Sequence, residues 1–125
     1  MNSRPTVLVA DDDGDICDLV AFRLRRMSCE VVVVNDGAEA LRMASEMRPD
    51  LAILDVMMPE HDGFEVTRRL RAQPATADLP VLLLTARSSD SDVEQAHAAG
   101  ANDYVRKPFS PQELTARVRA LVDAA

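Results

Sequence analysis

The sequence predicts an α/β domain, a five-stranded parallel sheet wound doubly so that helices cover both faces in three layers. Three observations lead there. Short runs of branched aliphatic residues alternate with segments of helical period along the chain, and runs without polar interruption suit strands covered on both faces. Strict strand-then-helix alternation calls for right-handed crossovers, which make neighbouring strands parallel. The length of 125 residues, with 47% hydrophobic and 28% charged residues, is that of one ordinary globular domain with a single core, spanning residues 1–125.

The elements follow in order. VLVA at 7–10 is the first strand, and Ile16, Leu19, Val20, Leu24 and Met27 fall on one face of the helix after it, with Asp13 or Asp15 placed to cap its start. VVVV at 31–34 precedes a helix with Ala38, Leu41 and Ala44 on one face, and LAIL at 51–54 precedes a helix marked by Val66 and Leu70. VLLL at 81–84 leads to a fourth helix at about 91–99, whose apolar face is little more than Val93 and alanines, with Gly100 as its C-cap. That helix is expected to be the least firmly held. DYV at 103–105 is a weaker fifth strand. Ser110, Pro111 and Glu113 then occupy the N-cap, first and third positions of a capping box, ahead of Leu114, Val118, Leu121 and Val122 on one face.

Composition excludes several functions. A net charge of −7 argues against direct nucleic-acid binding and against attraction to anionic membranes, which favour a basic face. No run approaches 18 apolar residues, and MNSRPTVLVA lacks a basic stretch and a cleavage site, so a soluble, cytoplasmic protein is expected. Cys17 and Cys29 have no metal-ligand spacing and are expected to be reduced, partly buried thiols.

In a sheet of this kind ligands bind beyond the carboxyl ends of the strands. Asp11 and Asp12 follow the first strand, Asp55 the third, Thr85 and Ala86 the fourth, and Lys107 and Pro108 the fifth. Three carboxylates would therefore meet on one edge. Two like charges about 4 Å apart repel by roughly 4 kcal/mol at an effective dielectric near 20, so the cluster needs cations. Lys107 supplies one. With oxygen donors and no Cys or His, the remainder suits Mg²⁺, or Mn²⁺, better than zinc, and Mg²⁺ readily accepts phosphate oxygens. A carboxylate can act as nucleophile towards a phosphoryl group once the charge is neutralised. Asp55, alone after LAIL, is the best candidate, with Thr85 and Lys107 holding phosphoryl oxygens.

ADDD at 10–13, LDVMMPEHDG at 54–63, LLTA at 83–86 and DYVRKPF at 103–109 resemble the receiver domain of two-component response regulators, over essentially the whole chain. The resemblance implies a flavodoxin-like (βα)5 fold and a signalling switch that catalyses its own phosphorylation and dephosphorylation rather than a conventional enzyme. Asp55 is implied to accept phosphate from a sensor histidine kinase or a histidine phosphotransfer protein. Asp12, Asp55 and the backbone carbonyl of Met57 are implied to bind Mg²⁺ directly, with Asp11 helping through water. It further implies that Lys107 and the Ala86 amide contact the phosphoryl group and that Thr85 and Tyr104 are a switch pair. The bond before Pro108 is implied to be cis, aiming Lys107 inward. The output would pass through the fourth helix, fifth strand and fifth helix to an effector protein or to an output domain, while the start of the first helix and the loop at Pro108 and Phe109 would meet the kinase.

DYVRKPFSPQELTARVRALV is most similar to receivers that carry winged-helix outputs and dimerise through that face, and Asp103, Glu113, Arg117 and Arg119 fit their charge pattern. Val93, Glu94 and Gln95 stand where that subgroup has basic residues, and Asn102 replaces an acid, so a monomer and a phosphorylation-dependent dimer both stay open. Met57 beside the site, together with Arg87, is expected to lengthen the life of the phosphorylated form. His61 is read as a solvated turn residue. An alternative is a haloacid-dehalogenase-type phosphatase, because Asp11, Asp13 and Gly14 mimic its DxDG motif with Asp11 as nucleophile. Its further acidic pair after the lysine has only Glu113 and Asp123 to draw on. A flavin module of similar topology would want hydroxyls and amides, not aspartates, after the first strand.

Overall fold

The computed structural model describes residues 4–86 and 90–123. Five strands, β1 (Thr6–Ala10), β2 (Glu30–Val34), β3 (Leu51–Asp55), β4 (Val81–Thr85) and β5 (Asp103–Arg106), alternate with five helices, α1 (Gly14–Arg26), α2 (Gly37–Met47), α3 (Gly63–Ala72), α4 (Asp90–Ala99) and α5 (Pro111–Asp123). All strand pairs are parallel and the order is β2-β1-β3-β4-β5. Strand order reverses between β1 and β3, which puts the crevice of an open α/β sheet at their carboxyl ends.

The sheet divides the interior into two apolar layers rather than one core. Because successive side chains alternate between faces, Val7, Val9, Ile53, Leu82 and Leu84 pack with Val20 and Leu24 of α1 and Leu114 and Val118 of α5. Leu8, Ala10, Leu54, Val81 and Leu83 pack with Ala44 of α2, Leu70 of α3 and Ala96 and Ala99 of α4. The strands β1, β3 and β4 are buried on both sides. VVVV does not follow them: β2 lies at the sheet edge, with Val31 and Val32 partly buried and Val33 38% exposed. Apolar composition reports β propensity and half-burial, and it carries no information on which strand is terminal.

Helix faces also shift from expectation in two places. Leu19 is 38% exposed, and α1 instead buries Cys17, Val20, Ala21 and Leu24. Ala38 is exposed, and α2 turns Gly37, Ala40 and Ala44 inward with Leu41 beside them. In α2 small residues take the close-packed positions against the sheet. Aspartates cap three helices: Asp13 accepts from the Asp15 and Ile16 amides, Asp36 from Glu39 and Asp62 from Glu65. At α5 the Ser110 hydroxyl accepts from the Glu113 amide at 3.0 Å. Gly100, at φ +97, follows α4 in the left-handed region that favours glycine. Both cysteines are free and buried. Among the described residues no helix is long and apolar enough to cross a membrane.

Candidate functional site

The carboxyl ends of β1 and β3 bring the predicted acids together. Asp11 directly follows β1 and is completely buried, Asp55 ends β3 at 4% exposure, and Asp12 is exposed at the mouth. One carboxylate oxygen from each lies within 4.8 Å of the other two. From the loop after β5, Lys107 Nζ reaches Asp11 Oδ2 at 3.0 Å and Asp55 Oδ1 at 3.2 Å. The Lys107–Pro108 peptide is cis. The Lys107 amide donates to the Thr85 carbonyl at 2.7 Å, tying the lysine loop to the end of β4.

One ammonium shared between two buried carboxylates leaves negative charge unbalanced, and the titration of the group reflects it. Burial, then the charge of Asp11, pushes Asp55 up to about 6, against the pull of Lys107. Burial alone would pull Lys107 down, but its hydrogen bond to Asp11 and the charges of both acids leave it raised. The donors are all oxygens and the excess charge is negative, so the residues fit a hard cation.

Thr85 is buried at the end of β4 and Ala86 is exposed just beyond it. Met57, 61% exposed, and Ala86 line one groove with Val56, Asp62, Phe64 and Thr85. Tyr104 is half-buried on β5, and beneath α4 a small cavity is lined by Val56, Leu83, Thr85, Val93, Ala96 and Tyr104. Phe109 packs against the α1/α5 layer and Pro108 is exposed. Arg87 lies outside the described residues. His61 is not a solvated turn residue: its ring is half-buried and Nδ1 sits 3.1 Å from Glu65 Oε1.

Sequence reasoning missed three contributors. The Asp11 carbonyl accepts from Cys17 Sγ at 3.3 Å and from Asn35 Nδ2 at 3.4 Å. Burial first, then the Asp11 charge, raises the Cys17 thiol to about 11, so it stays a protonated donor. Asn35 follows β2 at the same sheet edge, which is the signal that could have found it. Gly63 is the third: its amide donates to the Val56 carbonyl at 3.0 Å, and a Cβ there would lie 2.6 Å from the Asp55 carbonyl oxygen. Gly63→Ala should therefore push on the backbone that carries Asp55, costing about 2 kcal/mol in chemical denaturation and weakening divalent-metal binding measured by calorimetry.

Residues 7–119 match the model of the response regulator receiver domain. The chain belongs to that family. Over 118 residues this receiver is 45% identical to the DNA-binding dual master transcriptional regulator RpaA of Synechocystis, across 94% of this chain and 49% of that protein. It thus spans about half the length of the curated relatives it matches. Its structure is similar to that of the chemotaxis response regulator CheY4 of Vibrio cholerae, with TM-score 0.91 and 34% identity, covering 95% of this chain and 99% of that one. It is similar also to the receiver domain of the sensor histidine kinase PA1611 of Pseudomonas aeruginosa, with TM-score 0.89 and 31% identity over 97% and 99% of the two chains. That protein was solved with a magnesium ion coordinated in its active-site cleft.

The phosphatase alternative is not favoured. The carboxylate of Asp13, the second acid of the apparent DxDG motif, caps α1, while Asp11 Oδ1 accepts from the Asp13 amide at 2.9 Å and Oδ2 is held by Lys107. Of the two acids beyond the lysine, Glu113 pairs with Arg117 at 3.8 Å on α5.

Proposed function

We propose that this receiver is a phosphoacceptor switch in which Asp55 takes a phosphoryl group from a phosphohistidine of a sensor histidine kinase or a histidine phosphotransfer protein. The observation that carries this reading is the half-buried lysine shared by two buried carboxylates that close on a third, at the switch point of a parallel sheet. Asp12, Asp55 and the Met57 carbonyl are the direct ligands we assign to Mg²⁺, with Asp11 helping through water and Mn²⁺ as a substitute. Bound there, the ion supplies the positive charge that lets an anionic phosphoryl group approach an anionic nucleophile.

The chain's own residues do the rest. An Asp55 carboxylate oxygen attacks phosphorus, the P–N bond to the histidine ring breaks, and that nitrogen keeps the bonding pair. Lys107 moves its ammonium from the carboxylates towards a phosphoryl oxygen, and the Thr85 hydroxyl and Ala86 amide donate to the others. Phosphorylation replaces the single charge of the carboxylate by the nearly −2 of the phosphoryl group, a net gain of about one negative charge, which biases two conformations only through such differential contacts. Thr85 drawn inward makes room for Tyr104, which the cavity under α4 supports. The face of α4, β5 and α5 is the output surface, addressed to an effector or to an output domain in a longer protein. Asp103 and Arg117 pair there at 2.8 Å within one chain, so a monomer at rest and a dimer on phosphorylation are both compatible with it. The −7 charge argues against direct DNA contact by this receiver, and the reading implies a cytoplasmic setting.

Incubation with Mg²⁺ and a small phosphodonor, followed by intact-mass measurement, should add one phosphoryl unit to the wild type and none to Asp55→Asn. Dependence on Asp11 with continuous turnover would instead restore the phosphatase reading. Met57 borders the groove beside Thr85 and Ala86, where its apolar side chain limits water. Met57→Asn should shorten the lifetime of the phosphorylated form several-fold in the same mass assay, and an unchanged decay would remove Met57 from the account.

A further inference from the structure

The guanidinium of Arg71, near the end of α3, joins three segments at the pole of the sheet opposite the acidic site. Its Nε donates to the Gly100 carbonyl at 3.0 Å, Nη2 to Asn102 Oδ1 at 2.9 Å and Nη1 to the Thr76 carbonyl at 3.4 Å. Asn102 Oδ1 also accepts from the Val81 amide at 2.8 Å, and the Asn102 amide donates to the Val81 carbonyl at 2.9 Å. The joint therefore locks the C-terminal end of α4 to α3 and to the first residue of β4. The fit is close, since a Cβ on Gly100 would meet Arg71 Cγ at 3.1 Å. Partial burial pulls the Arg71 guanidinium below its ordinary range, and a partly desolvated cation that keeps several acceptors is costly to disconnect.

The two ends of α4 differ. Ala96 and Ala99 are buried next to the joint, whereas none of residues 91–95 is buried and the small cavity adjoining Thr85 and Tyr104 lies under Val93 and Ala96. We propose that Arg71 is a positioning residue that makes the Gly100 end of α4 a fixed hinge, so that the switch at Thr85 swings the Asp90 end while the Ala99 end stays in place. Hinges of this kind absorb a rotation at an element's terminus. The swing rests on the phosphoacceptor reading, but the fixed end does not.

Hydrogen exchange on the full chain tests both parts, at rest and with Mg²⁺ plus beryllofluoride as the phosphoryl mimic. In the wild type, amides of 96–102 should exchange alike in the two states while those of 90–95 change. Arg71→Met should speed exchange in 96–102 at least tenfold at rest and weaken beryllofluoride binding about five- to tenfold, leaving Mg²⁺ affinity unchanged because the acidic site is remote. Gly100→Ala, which keeps Arg71 but crowds it, should give the same pattern, and Arg71→Lys should recover part of it. Unchanged exchange in 96–102 for folded Arg71→Met and Gly100→Ala overturns the hinge, as does a uniform acceleration across all helices. Failure of the wild type to bind beryllofluoride overturns the phosphoacceptor reading and the swing, whereas the exchange of 96–102 at rest still decides the fixed end.

Discussion

Lys107→Ala should lower stability by about 3 kcal/mol near pH 8 and abolish phosphoryl uptake. Breaking a buried ion pair by deleting one partner leaves an uncompensated charge, and costs of this order are typical. Here two carboxylates lose the same cation, at 3.0 and 3.2 Å. Asp11 is wholly buried and Asp55 nearly so, leaving solvent little part in screening them. The loss should shrink on acidification, because protonating Asp55 removes one of the two negative charges and with it their mutual repulsion. Saturating Mg²⁺ should also restore part of the stability, by mass action on the folded form. Urea unfolding at pH 5 and pH 8, with and without Mg²⁺, measures all three effects. A variant as stable as the wild type at pH 8 without metal would show that Lys107 does not neutralise the pair.

Asp55→Asn should do the opposite in metal-free solution and stabilise the fold by roughly 3 kcal/mol above pH 7. The sign follows from linkage. Burial and Asp11 hold the folded-state value at about 6, above the ordinary 3.8, so the native state binds that proton more tightly than the unfolded chain does. The Asp55 contribution is harmless below about pH 4, becomes increasingly unfavourable as pH rises towards 6, and stays fully unfavourable above it. A displacement of about two pKa units corresponds to the magnitude given, at 1.36 kcal/mol per unit. The gain from Asp55→Asn should accordingly vanish near pH 4, where both proteins carry a neutral group at this position. Mg²⁺ should reverse the ranking at neutral pH, stabilising the wild type far more than the variant. Thermal unfolding over pH 4 to 8 with EDTA or Mg²⁺ gives the comparison, and a pH-independent difference would refute the assignment. Under the proposed function, a carboxylate kept at a stability cost suits a nucleophile, since the same unbalanced charge attracts the cation.

The sequence carried a large part of this. Alternation of aliphatic runs with helical periods determined the number, order and class of elements, because strand burial and helix amphipathicity are local patterns. Three strand ends also pointed to a site: polar residues at the ends of fully apolar runs have no local reason to be there, and Asp11, Asp55 and Thr85 each stand in such a place, whereas Lys107 follows the mixed strand DYVR. The serine cap at Ser110 and the glycine after α4 were legible for the same local reason.

What the tertiary structure decided depends on contacts between segments distant in the chain. It made VVVV an edge strand, turned Leu19 and Ala38 outward, and split the core into two layers. It separated the acids by role, engaging Asp11 and Asp55 with Lys107, leaving Asp12 at the mouth and using Asp13 as a cap. It brought Cys17 and Asn35 onto the Asp11 carbonyl, and Arg71 onto Gly100, Thr76 and Asn102. Periodicity and capping act within about one helical turn, so they can be read along the chain; which charge meets which, and how dry the meeting place is, is determined by packing across the sheet.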